Sequence, residues 1–186
     1  VPLRGRHQMS ALQALKDDWA AARSGRPGII QLKARIGGSK SALLDRFLEG
    51  VGEDAVVARG RCPYPAEALD EHPLIEKLAA RAADSARIAA EDRAENGRVP
   101  WLLPGARFLR AAQDVAELPG EGAIKPVARA TAGLLVDLAV QRPVLLVLDD
   151  AQWADPGSRA VARELADAFQ RGVSTKLLIV LAATPL

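Results

Sequence analysis

Two adjacent carboxylates, Asp149 and Asp150, follow directly on the unbroken aliphatic run Val144 to Leu148. Far upstream, Lys40 and Ser41 follow the stretch Ala34-Arg35-Ile36-Gly37-Gly38-Ser39, between a short apolar segment and an amphipathic one. An aliphatic run without polar interruption reads as a strand buried on both faces, which requires a parallel sheet covered by helices. Carboxylates at the carboxyl end of such a strand stand where open α/β sheets bind ligands. A lysine and a hydroxyl at a helix start, fed by a glycine-bearing loop, are groups that hold phosphate and a divalent cation. Together these side chains could do phosphate and metal chemistry.

The upstream segment can be compared with the phosphate-loop pattern G-x-x-x-x-G-K-[ST] between a strand and a helix. Lys40 and Ser41 fit it, the first to reach terminal phosphates and the second to bind Mg²⁺. Ala34 and Ser39 occupy the two glycine positions. Ala34 is a mild change. Ser39 is the serious one, because the residue before the lysine must bring bare backbone against phosphate and a serine Cβ crowds that approach. Gly37 and Gly38 offer room for a small readjustment. The acidic strand has the Walker B arrangement, in which Asp149 would hold Mg²⁺ through water and Asp150 would polarise an attacking water. Plainer readings stand beside these: a solvated helix start for Lys40 and Ser41, and a turn cap for Asp149 and Asp150.

The elements that must position these groups are legible in outline. Met9, Leu12, Leu15, Trp19 and Ala22 recur at helical steps, predicting a helix over 9–24 that Gly25 and Pro27 end. Strands are expected at 28–33, 54–59, 144–149 and 176–183. Helices are expected at 40–49, 74–95, 106–117, 126–141 and 157–171. Strands alternating with helices predict βαβ units and a doubly wound sheet. Asp155 before Pro156 predicts a helix N-cap followed by proline in the first turn. Trp153 reads as a packing residue and Cys62 as an inert small side chain.

Bulk properties exclude several classes. A net charge of +2, with no run of Lys or Arg, gives no electrostatic footprint for nucleic acid. A single cysteine, Cys62, allows no internal disulfide, which suits a reducing cytoplasm. His7 and His72 are the only histidines, and no Cys/His cluster has zinc spacing. No apolar run approaches the roughly twenty residues of a membrane span. The 186 residues fit one domain, 1–186. The chain begins at Val1 and stops at Leu186 just after an expected strand, so it is expected to be a piece of something longer.

With both motifs in hand, the chain resembles the N-terminal half of the ATPase domain of STAND-type signalling NTPases of the AAA-16 group. Such domains occur in large ATP-binding LuxR-type regulators, in antibiotic-pathway regulators and beside bacterial adenylate cyclase domains. The resemblance runs from Leu3-Arg4-Gly5-Arg6, through the phosphate loop and Gly60-Arg61-Cys62, to Leu102-Leu103-Pro104. Its most specific part is Leu148 to Pro156 (LDDAQWADP), and it ends on a sensor strand closing at Ala182-Ala183-Thr184. It implies a three-layer αβα P-loop NTPase fold, with a mostly parallel sheet and a helical insert, and a lid domain that would follow Leu186. It implies ATP and Mg²⁺ as cofactors. Gly5 and Arg6 would lie near adenine, and Ala34, Gly37, Gly38, Ser39, Lys40 and Ser41 around the phosphates. Thr184 would be the sensor, Ser41 and Asp149 would serve the metal, and Asp150 with Lys40 catalysis. Departures fall at Met9, where the family usually has an acidic residue, at Ala34 and Ser39, and at Leu186, where it usually has arginine.

Two readings of function follow. In the first, the chain is a regulatory ATP/Mg²⁺ switch domain of a bacterial signalling or transcriptional regulator, with weak or lost hydrolysis. In the second, it is a degenerate NTPase fold serving as an interaction scaffold. Expected partners are nucleotide and other domains of the parent protein, without membrane or direct nucleic-acid contact. Oligomers are expected only in the full-length context, and the expected location is cytoplasmic.

Overall fold

The aliphatic run builds the centre of the sheet. A computed structural model describes residues 3–33, 40–62 and 124–184. Its elements, in chain order, are α1 (Leu3–Arg23), β1 (Gly28–Lys33), α2 (Lys40–Leu48), β2 (Val56–Arg61), α3 (Ile124–Gln141), β3 (Val144–Asp149), a short 3₁₀ turn (Ala151–Trp153), α4 (Pro156–Gln170) and β4 (Leu177–Ala183). The expected helices at 74–95 and 106–117 lie outside the described residues, as does the expected insert.

The four described strands form one parallel sheet in the order β1-β4-β3-β2. Side chains alternate across a strand, so each central strand supplies two cores. Val144, Leu146 and Leu148 of β3, with Leu177 and Ile179 of β4, face α3 and α4. Leu145 and Val147, with Leu178, Val180 and Ala182, face α1 and α2. Both faces of β3 are therefore dry, and the expected three-layer αβα architecture is present. Each fully buried leucine or valine contributes about 1.5–3 kcal/mol, so burial decides where the end of β3 sits before any charge interaction does.

Helix α1 buries Leu12, Leu15, Trp19 and Ala22 along one stripe, as their spacing predicts. It begins at Leu3, six residues before the expected start, and Arg4, Arg6 and Gln8 in that added stretch are good helix formers around Gly5. The segment Leu3-Arg4-Gly5-Arg6 thus lies inside α1 instead of preceding a helix. At the other end, Gly25 adopts φ +86°, and its N–H donates to the carbonyl of Ala22. That left-handed residue closes the helix where Gly25 and Pro27 predicted it.

Strand β2 is displaced by two residues from the expected 54–59. Val56 pairs with Val144 and Arg61 with Asp149 in register. Asp54 belongs to the preceding turn, where its carboxylate pairs with Arg23 at 2.9 Å and its carbonyl accepts from Arg142. The displacement places Arg59 and Arg61 inside the strand, beside the carboxyl end of β3.

Helix α4 starts as its sequence predicts. The Asp155 carboxylate accepts from the Ser158 backbone N–H at 2.8 Å and from the Ser158 hydroxyl at 2.6 Å, and Pro156 sits in the first turn. Replacing Asp155 with alanine removes the cap, and we expect a loss of about 1–2 kcal/mol of stability. Urea denaturation of the Asp155→Ala variant measures this directly. An unchanged midpoint would show that the cap is dispensable.

Candidate functional site

Lys40 is the first residue of α2, and Asp149 is the last of β3. The fold brings them together across the C-terminal end of the sheet. The Lys40 ammonium donates to Asp150 Oδ1 at 2.7 Å and lies 3.0 Å from Asp149 Oδ1. The three side chains are only 12%, 14% and 20% exposed for Lys40, Asp149 and Asp150. Two further cations close the cluster. Arg59 Nη2 pairs with Asp149 Oδ2 at 2.9 Å, and Arg61 Nε with Asp150 Oδ2 at 2.7 Å.

Asp150 reaches Lys40 from a left-handed backbone conformation, φ 53° and ψ 41°. Among the described residues it is the one non-glycine at positive φ. Aspartate tolerates this region better than most residues, but it remains a sparsely populated one, and such residues concentrate at functional sites. The turn is held by the Trp153 N–H donating to the Asp150 carbonyl at 2.9 Å. Trp153 itself packs against the core between the sheet and α3–α4, as expected of it. The preceding residue, Gln152, accepts through Oε1 from the Thr184 backbone N–H at 3.0 Å, which ties the acidic turn to the end of β4.

The electrostatics follow from this packing. Burial works against the Lys40 ammonium, but the hydrogen bond to Asp150 and the close Asp149 carboxylate outweigh it and raise the Lys40 pKa above its ordinary value. For Asp149, burial pushes the pKa up, and Arg59 with Lys40 more than reverse it, so the carboxyl lies below 3.8. For Asp150 the Lys40 hydrogen bond dominates, opposed by burial and supported by Arg61, and the pKa is again lowered. All these groups are ionised at neutral pH.

Asp149 Oδ1 is buried and accepts no directed hydrogen bond. Its 3.0 Å approach to Lys40 is an ion pair whose geometry falls short of one. A buried carboxylate oxygen left in this state fits a cation ligand. Ser41, in the first turn of α2, is exposed. Among the described residues no group of three or more His, Cys, Asp or Glu gathers as a metal cage. A magnesium ion here would suit the usual arrangement of one or two protein oxygens plus phosphate oxygens.

The other expected site residues are distributed as follows. Gly5 and Arg6 lie in α1, and Thr184 follows β4. Ala34, Gly37, Gly38 and Ser39, with Leu186, lie outside the described residues. Met9 is in α1. Cys62 continues the β2–β3 ladder by donating its N–H to the Asp149 carbonyl, and its thiol is buried. Burial first, then the nearby Asp155, Asp150 and Asp149 charges, push the thiol up to about 11, which agrees with an inert cysteine. Sequence reasoning missed Arg59 and its second partner, Asp45 of α2. The available signal was a pair of arginines two apart, Arg59 and Arg61, on one side of a strand leading to the site.

The depressed carboxyl pKa values carry a pH prediction. A carboxyl whose folded-state pKa lies below its unfolded value contributes stability above the unfolded pKa of about 4, and loses it as pH falls through the folded-state value. The urea midpoint of the wild type should therefore fall more steeply below about pH 4 than that of an Asp149→Asn, Asp150→Asn variant. Parallel curves would show that the cluster does not couple ionisation to folding.

The family model for the AAA ATPase domain matches residues 2–180. No curated protein matches the chain.

Proposed function

This chain belongs to the AAA ATPase domain family, and from that membership we propose that it is a regulatory ATP/Mg²⁺ switch domain of a bacterial signalling or transcriptional regulator, with weak or lost hydrolysis. The observation that supports this most is the Lys40 ammonium held between Asp149 and Asp150 at the end of the central strand. In this reading Lys40 contacts the terminal phosphates, while Ser41 and Asp149 serve the magnesium ion. Asp150 polarises the attacking water. The segment with Ala34, Gly37, Gly38 and Ser39 surrounds the phosphates, Gly5 and Arg6 lie near the adenine, and Thr184 senses the state of the site. The magnesium ion, when bound, neutralises charge on the phosphate oxygens.

The switch has a physical basis in the charge pattern. Lys40 is paired with both carboxylates. A triphosphate offers it a more highly charged partner, so the Lys40–Asp150 contact weakens as Lys40 turns to phosphate. Ligand-dependent contacts of this kind are what a nucleotide needs to favour one state over another. The link from Gln152 to Thr184 gives the acidic turn a route to the end of β4. Slow turnover is attributed to serine in place of glycine at position 39, where the pattern calls for bare backbone against phosphate, and to the arginine paired with Asp150.

A scaffold without a productive nucleotide site is the second reading. It is favoured by the same cluster, since three cations already neutralise the acidic pair, and by Ser39. Calorimetric titration with a non-hydrolysable ATP analogue and Mg²⁺ separates the two. The switch predicts saturable heat in the wild type that Lys40→Ala abolishes while the fold is retained. Equal affinity in the variant contradicts it. The scaffold predicts no heat in the wild type and the appearance of binding in Ser39→Gly, or a gain of at least about tenfold, equivalent to ~1.4 kcal/mol.

A further inference from the structure

Arg59 stands at the middle of a bridge across three elements. Its guanidinium spans from Asp45 on α2, through Nη1, to Asp149 Oδ2 at the end of β3, through Nη2 at 2.9 Å. Helix α2 is the one that begins with Lys40 and Ser41. The planar fork of an arginine can grip two carboxylates at fixed angles, which a lysine cannot do. At the Asp149 end the fork engages Oδ2 alone. The other oxygen, Oδ1, is left buried, without a directed hydrogen bond, on the side where Lys40 lies. The side chain of Arg59 is only 30% exposed, so the pairing is partly shielded from solvent.

We propose that Arg59 is a positioning residue for the magnesium ion: it holds Asp149 by Oδ2 so that Oδ1 is presented to the cation, and through Asp45 it keeps α2 in register with that carboxylate. This rests on the nucleotide-and-magnesium reading above. Arg59 contacts neither phosphate nor metal in this account and acts only through Asp149. A ligand carboxylate held by a second group cannot rotate away when the ion arrives, and loss of such support typically lowers metal affinity by about 10–100-fold. Removing a positive charge next to a cation site acts in the opposite direction, because it relieves repulsion. The sign of the effect therefore decides which role Arg59 plays.

The test is the affinity of a non-hydrolysable ATP analogue measured with Mg²⁺ and again with EDTA, and the ratio of the two. Arg59→Gln should lower that ratio about tenfold. Arg59→Lys keeps the charge but loses the fork, so its ratio should also fall. Asp45→Asn removes the outer anchor and should give a smaller fall in the same direction; these two variants carry the test if Arg59→Gln does not fold. A ratio equal to wild type in all variants, even with lowered thermal stability, overturns the proposal and leaves Arg59 a structural residue. A raised ratio overturns it too, making Arg59 a competitor of the cation. A wild-type ratio in Arg59→Lys beside a fall in Arg59→Gln would overturn the role given to the fork, because a single ammonium would then hold Asp149 as well. A wild type whose binding is indifferent to Mg²⁺ is a different failure, because it removes the metal reading on which the proposal stands.

Discussion

The structure depends on one charged side chain held by two others. Lys40, at the first residue of α2, lies between Asp149 and Asp150 at the end of β3, and all three are largely withdrawn from water. An isolated buried charge is strongly unfavourable, so each of these groups can be buried only because the others are there. The arrangement requires the start of α2 and the end of β3 to meet. That meeting is secured by the apolar sheet: β3 and β4 are buried on both faces, and α1 and α2 cover one of them. Hydrophobic burial sets the frame, and the ion cluster uses it.

The cluster is balanced as well as paired. Lys40, Arg59 and Arg61 face Asp45, Asp149 and Asp150, three charges of each sign. A ligand that brings phosphate and a divalent cation adds both signs at once, so it would offer cations and carboxylates of the cluster alike a partner of opposite charge. A free divalent cation, or a free phosphate, would disturb the balance. The pattern holds α2, β2 and β3 together, and under the proposed function it is also what a nucleotide would rearrange. The left-handed Asp150 and the turn that follows it sit where such an exchange would be felt, and Gln152 carries the turn's position to Thr184.

Much of this was legible in the residues. The unbroken Val144–Leu148 run announced a central parallel strand, and the paired aspartates announced its ligand end. The helical spacing of Leu12, Leu15, Trp19 and Ala22 gave the buried stripe of α1, and Asp155-Pro156 gave the cap of α4. What escaped notice has a common physical cause. The sequence pattern puts the start of β2 at Asp54, two residues early, whereas that carboxylate is held outside the strand by Arg23. With that offset, Arg59 appeared as the last residue of a strand and not as a member of the site. A bridge between Asp45 and Asp149 joins residues far apart in sequence, and no local pattern reports such a pair. The early start of α1 escaped for a simpler reason: its first turns carry no apolar periodicity, which was the signal used to find it.

The central claim is that Lys40 exchanges carboxylate partners for phosphate. It is tested most directly by observing the Lys40 ammonium itself, through its side-chain ¹⁵N resonance, in the free protein and with a Mg²⁺-bound, non-hydrolysable ATP analogue. The account predicts a protected, slowly exchanging ammonium in the free protein that depends on Asp150, and a distinct resonance once the analogue saturates the site. An ammonium indifferent to Asp150→Asn in the free protein, or unmoved by saturating analogue, would contradict it.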